Sequence, residues 1–165
     1  MAQLTSITID PVSSAEDIAT IKTLFLAYVS GLPIDVSYQN FTHELSTLPG
    51  KYSPSSGGAL LLARSSISGE ALGCVALRSL KSSVSCEMKR LYVIAEGRGF
   101  GIGKMLLKRA LECAREMGYR EVCLDTLSSM NAARAVYKEF DFREIEAYYE
   151  TPIEGTIFLG LTLEP

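Results

Sequence analysis

Residues 86–117 read CEMKRLYVIAEGRGFGIGKMLLKRALECAREM, and the fold turns on how this stretch is parsed. Leu91, Tyr92, Val93 and Ile94 form a β-branched and aromatic run of the kind that pairs in a sheet. Arg98-Gly99-Phe100-Gly101-Ile102-Gly103 follows, and the chain then enters a helical pattern without a break. Strand, glycine loop and helix in that order make an anion cradle. Glycine lets main-chain N–H groups come close to an anion, and the positive end of the helix dipole points at the same place. Such a site is mostly backbone.

Spacing separates the known glycine loops. A Walker loop needs a glycine five positions before Gly103, where this chain has Arg98, and a Ser or Thr after Lys104, where it has Met105. A dinucleotide loop needs G-x-G-x-x-G, whereas Gly99, Gly101 and Gly103 alternate. A glycine turn that merely joins strand to helix is the bland alternative. The remaining pattern, Arg-Gly-x-Gly-Ile-Gly between a strand and a long amphipathic helix, resembles the acetyl-CoA pyrophosphate loop of the GNAT superfamily of N-acetyltransferases.

At 165 residues, 47% hydrophobic and 21% charged, the chain suits one domain with a sizeable core and not a disordered segment. No apolar run reaches the length of a membrane span, and MAQLTSITID lacks the pattern of a signal peptide, so a cytoplasmic protein is expected. Cys74, Cys86, Cys113 and Cys123 form no C-x-x-C pair and sit in apolar runs, which favours buried free thiols over disulfides or a metal site. Between Glu87 and Arg120 there are eight Lys and Arg against four Glu; the rest of the chain carries eight basic and fifteen acidic residues. That polarity suits a polyanionic cofactor better than nucleic acid, which needs a broad basic stripe. Lys104 is a cofactor candidate, while Lys108, Arg109 and Arg115 solvate the outer helix face.

In chain order, Leu4 to Ile9 reads as an edge strand, and Ser13 with Glu16 as a capping box before a helix marked by Ile18, Ile21, Phe25 and Tyr28. A shorter helix is expected over 37–48, with Phe41, Leu45 and Leu48 on one face. The Pro-, Ser- and Gly-rich stretch 49–58 is a spacer or a pocket wall. Strands are expected at 59–63, 71–77, 84–94, 121–126, 142–149 and 156–163, and helices after the glycine loop to Gly118 and over 130–139. This order is similar to the whole GNAT fold: an α/β (α+β) architecture with a mixed, mostly antiparallel sheet of about seven strands and about four helices, as a single domain over 1–165.

The resemblance implies the chemistry. LDTLSSMNAARAVYKEFDF, from Leu124, looks like the family element that ends in Tyr-x-x-Leu-Gly-Phe, with Tyr137 as its tyrosine. In similar enzymes that phenol protonates the leaving thiolate, a role within reach of a donor titrating near ~10; a core tyrosine is the alternative. Main chain at Leu91, Tyr92 and Val93 would meet the pantetheine arm. Glu87 stands eleven residues before Arg98, where some members carry a catalytic base; equally, it pairs with Lys89 or Arg90. Two departures limit the carry-over: Met130 stands where an Asn is common, leaving Asn131 to cap the helix or reach the cofactor, and Asp141 replaces the Gly before Phe142.

Along an alternating strand either Lys89 or Arg90 must face the acceptor side, suiting a substrate with a carboxylate or phosphate, although the pair could equally be consumed in ion pairs. Phe41, Tyr148 and Tyr149 are candidate pocket aromatics, His43 reads as a surface residue, and Cys86 reads as packing, since direct transfer in a ternary complex needs no protein nucleophile. The expected function is transfer of an acetyl group from acetyl-CoA to a primary amine of a small molecule, with neither nucleic acid nor membrane as partner. The alternatives are a non-catalytic acyl-CoA-binding or sensing domain and transfer to protein lysine or N-terminal amines. A homodimer is compatible with the resemblance, because the family often pairs subunits through terminal strands.

Overall fold

The computed structural model describes residues 6–35, 40–80 and 84–164. In order, the elements are β1 (Ile7–Pro11), α1 (Ala15–Ser30), α2 (Phe41–Thr47), β2 (Ala59–Ser65), β3 (Ala71–Ser79), β4 (Ser85–Val93), α3 (Ile102–Glu116), β5 (Glu121–Leu127), α4 (Asn131–Glu139), β6 (Arg143–Glu144) and β7 (Thr156–Thr162). Among the described residues the strands form one seven-stranded sheet in the order β1-β2-β3-β4-β5-β7-β6. Every pairing is antiparallel except β4 with β5. That one is parallel because α3 carries the chain back across the sheet between them.

Helices cover both faces, which is why β2 and β3 read as unbroken apolar runs. Leu61 and Ala63 face α3, whereas Leu60 and Leu62 face the core beneath α1 and α2. On α3, Ile102, Leu106, Leu107, Ala110, Leu111, Cys113 and Ala114 are buried; each large aliphatic side chain contributes about 1.5–3 kcal/mol. Gly118 ends the helix in the left-handed conformation at φ 85°. Asp141 takes φ 69°, so the turn before Phe142 forms without its glycine.

Some expectations shift. The first helix is capped by Ser14, whose Oγ accepts from the Asp17 amide, while Asp17 accepts from the Ser13 amide, so the capping box lies one residue later than Ser13 and Glu16. Met130 precedes α4 instead of opening it. The strand expected over 142–149 shrinks to Arg143–Glu144, because Tyr148 and Tyr149 leave the edge to pack on Phe158 and bond inward. Leu4, at the start of the first expected strand, and residues 37–39 of the second expected helix lie outside the described residues.

Two irregularities in β4 open the sheet. Its pairing with β5 covers Ser85–Glu87 against Glu121–Cys123. Beyond it β4 stays with β3 while β5 stays with β7 through Leu127, and the strands part. Between the pairs Cys74–Tyr92 and Ala76–Lys89 the register slips, and Arg90 sits in the gap at φ 61°. This is a bulge, which adds twist to β4 and re-aims the side chains that follow.

Candidate functional site

The gap between β4 and β5 holds a cavity of about 110 Å³, and beside the glycine loop it continues into a groove of about 570 Å³. Tyr28, Leu32, Leu91, Met130, Ala133 and Tyr137 border both, so the two spaces meet at one junction.

The loop has the conformation an anion cradle needs. Gly99 and Gly101 adopt φ 86° and 76°, where L side chains are strained, and a Cβ at either would meet nothing within 4 Å: the surface above them is open. The first turn of α3 leaves its amides without helical partners, and no side chain caps them. Arg98, Gly99, Gly101, Ile102, Gly103 and Lys104 line the groove, with Leu91, Tyr92 and Val93 across it. Phe100 does not line it and is half exposed. Arg98 donates from Nε to the Val93 carbonyl, and Lys104 pairs with Glu139 at 2.9 Å, tying α3 to α4. Open αL glycines, unpaired amides and two nearby cations fit a diphosphate-bearing cofactor.

Tyr137 is buried against Phe142. Burial, then the neighbouring Tyr28 and Asp125, push its phenol above the ordinary tyrosine value, so it stays protonated at every working pH. Asn131 is exposed and lines neither space; Met130 does.

Glu87 is 1% exposed but does not line the cavity. Its Oε1 accepts from Arg78 Nε at 2.7 Å and lies 3.8 Å from Lys89 Nζ, and Oε2 accepts from the Tyr148 hydroxyl. Burial raises its pKa, but Lys89, Arg78 and Tyr148 together outweigh burial and hold the carboxyl below its usual range. Arg90 pairs elsewhere: it forms a two-point ion pair with Glu44 of α2, at 2.9 and 3.1 Å, over the face of Phe41. Phe41 is therefore core beneath Arg90 and lines neither the groove nor the cavity, and Tyr148 is a ligand of Glu87. Because of the bulge, Lys89 and Arg90 both line the cavity, where simple alternation allowed one. His43 is exposed on α2, and the thiols of Cys74, Cys86 and Cys123 are pushed up to about 12, chiefly by burial.

The depressed carboxyls have a consequence for stability. Glu87 and Glu44 both titrate lower folded than unfolded, so their contribution is complete above the unfolded carboxylate value, near ~4.3, and is lost as pH falls through the folded values. The expected result is a steep acid limb in urea-unfolding free energy below about pH 4.3 that flattens in Glu87→Gln; parallel limbs in the two proteins would contradict it.

Sequence reasoning missed Asp125, which lines the cavity and accepts from the Tyr149 hydroxyl at 2.6 Å. It also missed Glu44, although helical spacing sets that residue on the face of Phe41 and Leu48, and a charge on an apolar face was the available signal.

Comparisons with known proteins agree with this geometry. The model of the acetyltransferase (GNAT) family matches residues 28–142. An uncharacterised N-acetyltransferase of Schizosaccharomyces pombe is 36% identical over 99% of this chain and 99% of its own. A GNAT-family acetyltransferase structure from Staphylococcus aureus superposes with TM-score 0.78 at 22% identity, over 96% of this chain and 100% of that one. A Salmonella typhimurium protein solved with its cofactor acetyl-CoA superposes with TM-score 0.70 at 18% identity, over 96% and 94%. Sheet, split strands and glycine loop thus accord with the sequence relationship, and this chain belongs to the acetyltransferase (GNAT) family as an acetyl-CoA-dependent N-acetyltransferase.

Proposed function

We propose that the enzyme, working as one domain over 1–165, acetylates the primary amine of a small molecule by direct transfer, with cofactor and acceptor bound together. One observation carries this: the groove beside the glycine loop and the cavity between β4 and β5 meet at the buried Tyr137. The cavity, about 110 Å³, is smaller than the ~150 Å³ engineered cavity that takes up benzene, so it suits a compact acceptor group.

Acetyl-CoA, when bound, supplies the acetyl group as a thioester. The residues that would hold it are the amides of the 98–104 loop, with Lys104 and the groove wall at Leu91, Tyr92 and Val93. Tyr137 keeps a proton at Oη that it can give to a departing thiolate. An acceptor ammonium titrating near ~10 must lose a proton before it attacks. Glu87, off the cavity wall and already holding Arg78, Lys89 and Tyr148, acts as a positioning residue for those groups.

A thiol-release assay over panels of small amines and peptides tests this. Turnover on one or more small amines is expected, with initial-rate lines that intersect when both substrates are varied. Turnover confined to peptides or proteins would overturn the small-molecule assignment, and parallel lines would overturn direct transfer.

A further inference from the structure

β4 walls both spaces, and it passes from one to the other at its bulge. Met88, Lys89 and Arg90 line the inner cavity only, Tyr92 and Val93 line the groove only, and Leu91 borders both. The backbone angle at Arg90 therefore sets how the cavity wall stands to the groove wall. A misplacement of about 1 Å between reacting groups costs roughly a hundredfold in rate, so that angle bears directly on transfer.

Arg90 holds φ 61°, a region that L side chains rarely adopt and that persists only where the surroundings enforce it. The enforcement comes from outside the sheet. Glu44 of α2 accepts from Arg90 Nε at 2.9 Å and from Nη2 at 3.1 Å, a planar two-point contact that fixes the direction of the side chain. The Phe41 ring, also from α2, has its centroid 5.2 Å from the guanidinium carbon, and the Tyr52 hydroxyl donates to Glu44 Oε1 at 2.8 Å and steadies the carboxylate. On the main chain, the Cys74 thiol donates to the Arg90 carbonyl at 3.3 Å. Glu44 itself lines neither the cavity nor the groove, and neither does any other residue of α2.

We propose that Glu44 is a positioning residue for acetyl transfer: through Arg90 it locks the bulge of β4, and with it the angle at which the acceptor side meets the thioester side. This rests on the reading that acceptor and acetyl group meet where the two spaces join, and not on the size of the acceptor.

Three variants separate this role from that of a merely stabilising ion pair. Glu44→Leu with Arg90→Met replaces the pair by apolar groups, which keeps most of the stability but leaves a side chain at the bulge without its clamp. Glu44→Leu with Arg90→Gly loses the clamp too, but glycine adopts positive φ readily. Arg90→Lys keeps the opposite charges and loses the two-point fork. Each is assayed for kcat by thiol release at saturating acetyl-CoA, with whichever amine, small or peptidic, the wild-type enzyme acetylates fastest. CoA affinity by calorimetry and the urea midpoint are measured on the same samples. The methionine double variant is expected to lose at least tenfold in kcat, with the CoA dissociation constant within about threefold of wild type and a midpoint above that of Glu44→Ala. The glycine double variant is expected to be at least threefold faster than the methionine one, and Arg90→Lys at least threefold slower than wild type. Wild-type kcat in the methionine double variant, or a glycine double variant no faster than it, would overturn the proposal; should the methionine variant not fold, wild-type kcat in Arg90→Lys would do so. Turnover confined to peptides would remove the small-molecule reading and leave this one standing, whereas parallel initial-rate lines would overturn both direct transfer and the role of Glu44.

Discussion

Tyr137→Phe is expected to lower kcat by at least a hundredfold while the dissociation constant for CoA changes less than about threefold. Positioned acid catalysis typically contributes 10²–10⁴-fold. Tyr137 borders both the groove and the inner cavity, and burial pushes its phenol above the ordinary tyrosine value. The Phe variant keeps the ring that packs edge-on against Phe142, with centroids 5.8 Å apart, so the fold should survive. Steady-state kinetics paired with calorimetry separates the outcomes: matching losses in turnover and affinity would mean that the phenol serves binding, and an unchanged kcat would remove it from catalysis.

Glu44→Ala is expected to destabilise the protein by about 3–5 kcal/mol, the typical penalty for stranding one member of a buried ion pair. Each side chain of the Glu44–Arg90 pair is 3% exposed. Glu44 also accepts from the buried Tyr52 hydroxyl at 2.8 Å and pairs with Lys51 at 3.2 Å, so three partners lose their acceptor together. For a native state worth about 5–15 kcal/mol this is a large fraction. At a urea m-value of about 2 kcal/mol/M the unfolding midpoint would drop by roughly 1.5–2.5 M. Replacing both partners, in Glu44→Leu with Arg90→Met, should cost clearly less than the two single losses added together. A midpoint shift below 0.5 M in Glu44→Ala would show, at that same m-value of about 2 kcal/mol/M, that the pair does little for stability. The pair also clamps the residue at the bulge of β4, so any kcat loss should accompany the stability loss.

How legible the molecule was depends on sequence distance. The order of elements follows from local pattern: alternating or continuous apolar runs, a 3.6-residue stripe from Ile102 to Glu116, Gly118 to stop it, and a glycine loop to start it. The αL turn at Asp141, where the resemblance has a glycine, is likewise a one-residue property. The strand expected over 142–149 failed where distant contacts won, since Tyr148 bonds to Glu87 sixty-one residues away. Lys89 and Arg90 failed for a related reason: a single bulge residue breaks a period of two, and no local pattern announces it.

The sequence by itself therefore determined the family, the sheet-and-helix order and the backbone cradle of Gly99 and Gly101. Each of these rests on neighbours in the chain. Only the tertiary structure decided which charges are consumed and which face the cavity. Glu87 is taken by Arg78 and Tyr148, and Glu44 by Arg90, whereas Asp125, held by the Tyr149 hydroxyl, lines the wall where β4 and β5 part. Burial and pairing between remote residues set a charge's solvation and pKa, and those pairings exist only once the sheet has closed and split.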